Sequence, residues 1–192
     1  MKSTKVLTLF IAVACTALVA TSYPPLQEQP AAAVLDPTII SLGNDTRRLV
    51  GPVAVVLEGE SGLAFRARVD TGAERCSLHV VEWEIADPAP TMLENVGKSI
   101  RFRLENRCGH SWWLEREIAE VALIRTAESE ELRYMVPLRL RLRGVEREVL
   151  VSLNDRSEMR YPMLVGRNYL AGQFVVDVTN GPAHDQFLVH NR

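Results

Sequence analysis

Val69-Asp70-Thr71-Gly72-Ala73 is the stretch of this sequence that decides the fold. It follows an apolar-alternating run (Leu63, Phe65, Ala67 and Val69), which is typical of a half-buried strand. Gly72 allows a tight backbone turn, and the Thr71 hydroxyl can hydrogen-bond across it. The pattern therefore predicts that Asp70 sits at the tip of a rigid turn at the end of a strand, where a reactive group is well held.

A second stretch, later in the chain, makes that turn more specific. Asp, Thr and Gly are ordinary turn residues, so the triplet alone is a weak motif. Beyond an intervening β-rich region, a hydrophobic run leads into Gly-Arg-Asn, as Met163-Leu164-Val165-Gly166-Arg167-Asn168. The two elements in this order are much more specific than the triplet by itself.

The two stretches together resemble the active-site motif of retroviral-type aspartic proteases (retropepsins). A closer resemblance, over residues 48–180, is to a bacterial retropepsin-like aspartic protease family often labelled "ATP-dependent zinc protease". It rests on Arg68-Val69-Asp70-Thr71-Gly72-Ala73-Glu74-Arg75-Cys76-Ser77-Leu78-His79, on Tyr161-Pro162 through Tyr169-Leu170, and on residues 151–156 and 172–178. The family has Ser or Thr where this chain has Cys76. The sequence has neither a Gly-x4-Gly-Lys-Ser/Thr loop for ATP nor a His-Glu-x2-His helix for zinc, so its residues support neither half of that label.

The resemblance implies a role for each residue of the motifs. Asp70 is expected to be the catalytic carboxylate, with Thr71 and Gly72 shaping its loop. In retropepsins the Arg after the Gly pairs with an acidic residue four positions beyond the catalytic Asp. That position is Glu74 here, so an Arg167–Glu74 ion pair is expected to brace the loop. The expected supports of the site are Ala73, Glu74, Gly166, Arg167 and Asn168.

An aspartic protease needs two adjacent carboxylates that share one proton, because two such close charges cannot both ionise. The sequence has a single Asp-Thr-Gly and no second Asp-Thr/Ser-Gly. A two-fold homodimer would bring two copies of Asp70 together at its axis. The resemblance thus predicts a homodimer that hydrolyses a peptide or protein substrate without a cofactor.

Cysteine and histidine residues allow other interpretations. Cys76-x2-His79 and Cys108-x-His110 supply two sulfurs and two nitrogens, the ligand set of a tetrahedral zinc site. In an oxidising compartment a Cys76–Cys108 disulfide is the more ordinary outcome, and two unpaired thiols are the third. These three alternatives stay open on the sequence alone.

Alternating apolar runs predict an all-β, mostly antiparallel fold, which agrees with a retropepsin-like acid-protease barrel. One short helix is expected directly after Gly166, over residues 167–171. Adjacent Trp112 and Trp113 should face opposite sides of a strand, with one of them in the core. The predicted strands cover residues 49–57, 63–69, 100–104, 112–118, 121–125, 133–143 and 147–153.

The ends of the chain suggest export. Lys2 and Lys5 precede an apolar stretch and a small-residue zone, so residues 1–22 are predicted to be a signal peptide. A lipoprotein signal ending before Cys15 or a retained membrane anchor are the alternatives. Residues 23–47 are predicted to be a flexible Pro/Ala-rich lead-in, residues 48–182 the domain, and residues 183–192 a C-terminal tail. A periplasmic or otherwise exported protein, free or lipid-anchored, is expected.

Charge argues against a nucleic-acid partner. Removing residues 1–22 takes away two of the 22 basic residues, which leaves 20 against 24 acidic ones and a net charge of −4. Nucleic-acid binding domains carry basic patches instead. A non-catalytic binding or scaffold module on the same fold is the main alternative function, and a zinc-dependent hydrolase is a weaker one.

Overall fold

The computed structural model describes residues 39–42, 45–125 and 130–179. The predicted signal peptide and C-terminal tail lie outside these ranges. Within them, no helix is long and apolar enough to cross a membrane. The strands are β1 (Ile39–Leu42), β2 (Asp45–Val50), β3 (Val53–Glu58), β4 (Ala64–Val69), β5 (Cys76–His79), β6 (Glu82–Ile85), β7 (Ser99–Glu105), β8 (Ser111–Glu117), β9 (Glu120–Arg125), β10 (Glu130–Leu142), β11 (Val145–Asn154), β12 (Met163–Val165) and β13 (Phe174–Val176). A 3₁₀ turn covers Leu93–Asn95, and the α-helix α1 covers Arg167–Leu170. The prediction of an all-β, largely antiparallel fold with one short helix is confirmed.

A seven-stranded sheet carries both motifs, with the strand order β11-β5-β12-β4-β3-β10-β9. The short strand β12 lies between β4, to which it is parallel, and β5, to which it is antiparallel. Val165 is the register partner of Val69. The carboxyl ends of β4 and β12 therefore meet at one edge of the sheet, which places the Asp70 turn beside Gly166.

The β10–β11 hairpin follows the predicted alternation. Leu138, Leu140 and Leu142 are buried, whereas Arg139, Arg141 and Arg143, which alternate with them, are exposed, a pattern typical of a half-buried strand. Leu142 pairs with Val145, which leaves a two-residue loop, and both loop residues have positive φ (Arg143 46°, Gly144 75°). Such a loop matches the twist of the strands that it joins.

A second sheet consists of β6, β7 and β8 in that order. The strands predicted over residues 100–104 and 112–118 correspond to β7 and β8, whereas β6 was not predicted. Trp113 pairs with Arg103 and Trp112 with Leu104, so the two tryptophans do face opposite sides. The prediction that one of them lies in the core is wrong, because Trp112 is 52% and Trp113 37% exposed. They lie on an edge strand of this small sheet, and the Arg101 guanidinium stacks 4.3 Å from the Trp113 ring.

Strands β1 and β2 correct the predicted start of the domain. β1 and β2 pair with each other, and β2 pairs with β13, so residues 39–42 and 45–47 belong to the fold rather than to a flexible lead-in.

The single strand predicted over residues 49–57 is two strands, separated at Gly51 and Pro52. Proline has no N–H for a sheet, and the Pro52 carbonyl instead accepts a hydrogen bond from Val69 N–H at 2.9 Å.

Candidate active site

Asp70 lies directly after β4 and is held by its own loop. Its main-chain N–H donates to the Val165 carbonyl at 3.0 Å. Its Oδ1 accepts hydrogen bonds from Gly72 N–H at 2.9 Å and from Ala73 N–H at 3.3 Å. Neither bond uses Oδ2, which lies 4.0 Å from Arg68 Nε. The carboxyl group thus has one oxygen fixed by the main chain, while its side chain remains about one third exposed (32%).

Arg167 braces this loop, although not through the expected partner. Its Nη1 donates to the Thr71 carbonyl at 3.0 Å and to the Gly72 carbonyl at 2.8 Å. The Glu74 carboxylate instead contacts Arg75, with Oε1 3.3 Å from Nε. The predicted Arg167–Glu74 ion pair is therefore wrong, because the turn aims two main-chain carbonyls at the guanidinium. Among the hydrogen bonds of the described residues, Thr71 contributes its carbonyl to this brace and not its hydroxyl.

Main-chain contacts extend the same brace. Arg167 N–H donates to the Ala73 carbonyl at 2.9 Å, and Asn168 N–H donates to the Glu74 carbonyl at 3.0 Å. These bonds place Ala73, Glu74 and Asn168 beside the Asp70 loop. The contribution of Glu74 comes from its main chain.

Gly166 is required by a close approach of two chain segments. A Cβ at this position would lie 2.5 Å from the main-chain carbon and oxygen of Arg75. Its φ of −94° is open to any residue, so space and not backbone conformation selects glycine here. The Gly-Arg-Asn segment can therefore pass directly under the Asp70 loop.

The Asn168 side chain joins this segment to two strands. Its Oδ1 accepts Cys76 N–H of β5 at 3.0 Å, and its Nδ2 donates to the Leu150 carbonyl of β11 at 2.7 Å. The Cys76 thiol donates to the same Oδ1 at 3.2 Å. The amide thereby fixes the start of β5, where the chain leaves the Asp70 loop.

The cysteine and histidine candidates do not come together. Both cysteines are free, with Cys76 buried and Cys108 exposed at the tip of the β7–β8 hairpin, so the Cys76–Cys108 disulfide is not formed. The four candidates Cys76, His79, Cys108 and His110 do not form a ligand cluster. In the described ranges, no three His, Cys, Asp or Glu side chains are placed to hold a metal ion. The zinc arrangement is thus contradicted, because its first pair lies on β5 of the seven-stranded sheet and its second pair lies in the loop between β7 and β8.

His79 stabilises another loop instead. Its Nδ1 accepts Arg156 N–H at 2.9 Å and lies 3.6 Å from Asp155 Oδ1. This holds the connection between β11 and β12, which leads into the Gly-Arg-Asn segment. The position of Arg68 beside Asp70 was missed, although the alternation of β4 already places that arginine on the exposed face.

A β-sheet fold with an Asp-Thr-Gly turn braced by a Gly-Arg-Asn segment defines the retropepsin-like class. The family model described as "Retropepsin-like aspartic endopeptidase RimB" matches residues 51–185, and the chain belongs to this RimB-like family. Among solved structures, it is similar to a Legionella pneumophila protein of unknown function (DUF785), with 25% identity and a TM-score of 0.57. That match covers 71% of this chain and 95% of the other. No curated protein matches the chain.

Proposed function

We propose that the protein is an aspartic endopeptidase in which Asp70 activates a water molecule to hydrolyse a peptide bond of a peptide or protein substrate. The observation that carries this proposal is the way in which hydrogen bonds hold the Asp70 carboxyl group. One oxygen is fixed by two main-chain N–H groups, and the loop is braced by Arg167. A rigid turn of this kind costs little reorganisation during a reaction, which is what an acid–base group needs.

The second carboxyl group would come from a second copy of the chain. Apart from Asp70 itself, the carboxylates of the described residues that form ion pairs near this loop are Glu74 and Glu120, and both pair with Arg75. In a two-fold dimer the two Asp70 carboxyl groups share one proton. The ionised one takes a proton from water, whose oxygen attacks the substrate carbonyl carbon, while the protonated one donates to the carbonyl oxygen. The carboxyl group that took the proton from water then donates it to the leaving nitrogen as the C–N bond breaks. The other carboxylate takes a proton from a hydroxyl group of the tetrahedral intermediate, which restores the pair with one shared proton.

Export is part of the same proposal. The basic and apolar start of the sequence supports secretion to the periplasm or beyond, with cleavage after residue 22 or lipid attachment at Cys15. Sequencing the N-terminus of the mature protein distinguishes these products. An unprocessed chain recovered from the cytoplasm would contradict the proposal of export.

The decisive experiment is cleavage of a diverse peptide library from acidic to neutral pH by the purified protein. Asp70→Asn should reduce the rate by roughly 10³-fold or more, because it removes the group that activates water. Asp87→Asn is the matched control, since Asp87 is exposed with φ of 52°, a conformation that Asn also tolerates. Cleavage should survive a metal chelator. Equal rates for Asp70→Asn and wild type would exclude the aspartic mechanism, and no cleavage by well-folded dimer would favour a binding module.

A mixing experiment tests the shared site separately. Wild-type protein is mixed with increasing amounts of Asp70→Asn protein under conditions where subunits exchange. If each site needs two Asp70 residues, activity falls with the square of the wild-type fraction. A linear fall would mean that each chain works alone, and the proposed dimer would then be discarded.

A further inference from the structure

A buried thiol lies beneath the Asp70 loop and has no part in the proposed chemistry. Cys76 is fully buried (0% exposed) at the start of β5. Burial raises the pKa of its thiol to about 11, so the group stays protonated and neutral around neutral pH. A neutral thiol is a weak donor and a weak acceptor of hydrogen bonds.

Both capacities of this thiol are used, and both partners belong to the Gly-Arg-Asn segment. The thiol donates to Asn168 Oδ1 at 3.2 Å, and Sγ accepts Gly166 N–H at 3.4 Å. Gly166 and Asn168 are the two neighbours of Arg167 in the chain. One sulfur atom therefore contacts the residues on either side of the arginine that braces the loop.

The position of Arg167 depends on those two neighbours. Its guanidinium reaches the Thr71 and Gly72 carbonyls only while its own main chain stays close to the loop. Gly166 has no side chain and is held through its main chain: its N–H donates to the sulfur, and its carbonyl accepts Tyr169 N–H at 3.1 Å and Leu170 N–H at 3.2 Å. A small shift in a catalytic geometry can cost up to two orders of magnitude in rate.

We propose that Cys76 is a positioning residue, whose thiol fixes Gly166 and Asn168 so that Arg167 between them holds the Asp70 loop. This inference rests on the proposed peptidase function for its kinetic consequence, but its structural consequence can be measured without activity. The sulfur itself touches neither the substrate nor the reacting atoms.

The first test compares the kinetics of Cys76→Ala and Cys76→Ser in the full-length protein. Cys76→Ala should lower kcat by about tenfold with little change in KM, because the loop is displaced while substrate contacts remain. Cys76→Ser should restore most of kcat, since a hydroxyl also donates and accepts. Ser77→Ala is the matched control, because Ser77 is the next residue, is also buried (5% exposed), and its Oγ has no hydrogen-bond partner in the described structure.

The second test measures hydrogen exchange of the Gly72 and Ala73 amides, which donate to Asp70 Oδ1. These two amides should exchange about tenfold faster in Cys76→Ala and at nearly the wild-type rate in Cys76→Ser. Amides of the β7–β8 hairpin should not change. Cys76→Val, which refills the space without a donor or acceptor, should behave like Cys76→Ala.

Several results would overturn the proposal. Cys76→Ala could match Ser77→Ala in both measurements, or exchange could rise equally throughout the protein in Cys76→Ala and Cys76→Val. The thiol would then be a packing residue only. If the wild-type protein cleaves no peptide, the proposed function fails, whereas the exchange of Gly72 and Ala73 still decides the role of Cys76.

Discussion

The Asp70 loop and the Asn106–His110 turn are built on the same local device but are held differently. In each, one side-chain oxygen accepts two main-chain N–H groups: Asp70 Oδ1 from Gly72 and Ala73, and Asn106 Oδ1 from Cys108 and His110. The turn at Asn106 is otherwise closed within itself, because Asn106 N–H donates a hydrogen bond to the His110 carbonyl. The Asp70 loop adds hydrogen bonds from a segment that lies far away in the sequence.

This difference separates making a turn from fixing one. Four consecutive carbonyls, from Thr71 to Glu74, accept hydrogen bonds from Arg167 or Asn168. The Asn106 turn reaches the rest of the molecule through Arg107, which donates to the Met159 carbonyl at 2.9 Å. A local side-chain bond is enough to form a hairpin, whereas a rigid carboxyl group needs support from a second segment.

Gly166→Ala should have the largest effect, because a methyl group cannot fit 2.5 Å from the Arg75 main chain. We expect a loss of about 3 kcal/mol in the free energy of unfolding, since two main-chain segments must separate. Denaturant unfolding measures it. Gly109→Ala in the hairpin is the comparison: it has open space but a φ of 79°, and should cost only about 1 kcal/mol. If both variants lost the same free energy of unfolding, the close approach of Gly166 to the Arg75 main chain would not explain the loss in Gly166→Ala.

The buried Cys76 thiol predicts a loss of stability at alkaline pH. The Cys76 thiol has a pKa of about 11 in the folded protein against 9.0 for the free group, so the unfolded chain loses its proton first as pH rises. Its stabilising contribution is complete below pH 9 and is lost as pH rises towards 11, by roughly 2 kcal/mol. The free energy of unfolding, measured across this pH range, should decline less steeply in Cys76→Ser than in the wild-type protein. A decline as steep in Cys76→Ser as in the wild-type protein would contradict the burial argument.

Arg167→Ala separates the observed brace from the ion pair expected from the sequence. Losing hydrogen bonds to two carbonyls should reduce the free energy of unfolding by about 1–2 kcal/mol. It should also slow peptide cleavage, because the Asp70 loop loses its support. Glu74→Gln should change stability by less than about 0.5 kcal/mol, since the Glu74 carboxylate is exposed and pairs with Arg75. If Glu74→Gln destabilised the protein as much as Arg167→Ala, the result would favour the Arg167–Glu74 ion pair over the observed brace.

Asn106→Ala should have a smaller effect than Gly166→Ala or Arg167→Ala, and that effect should stay local. The turn loses the acceptor for Cys108 N–H and His110 N–H, which costs about 1 kcal/mol. Thermal unfolding measures the loss, and the rate of peptide cleavage should match that of the wild-type protein. A large drop in that rate would show that the hairpin takes part in the reaction and would weaken the contrast between the two turns.

The sequence was a good guide where a pattern is local. The alternation of Leu138, Leu140 and Leu142 predicted which face of β10 is buried, and the β7–β8 hairpin could be recognised from its strands and turn. Very short strands such as β12 were not predicted, because three residues show too little hydrophobic periodicity to identify a strand. The break between β2 and β3 was missed as well, since Gly51 and Pro52 lie inside one continuous apolar run.

The sequence by itself determined the class of the protein, because the Asp-Thr-Gly turn and the Gly-Arg-Asn segment are short motifs whose order can be read directly. Only the tertiary structure decided how they join. It directs Arg167 to the carbonyls of Thr71 and Gly72 rather than to Glu74, and it buries Cys76 against Asn168 while leaving Cys108 exposed. The physical reason is that pairing partners depend on where the main chain aims its donors and acceptors. That direction is set by the register between β4 and β12, which are distant in the sequence and adjacent in the sheet.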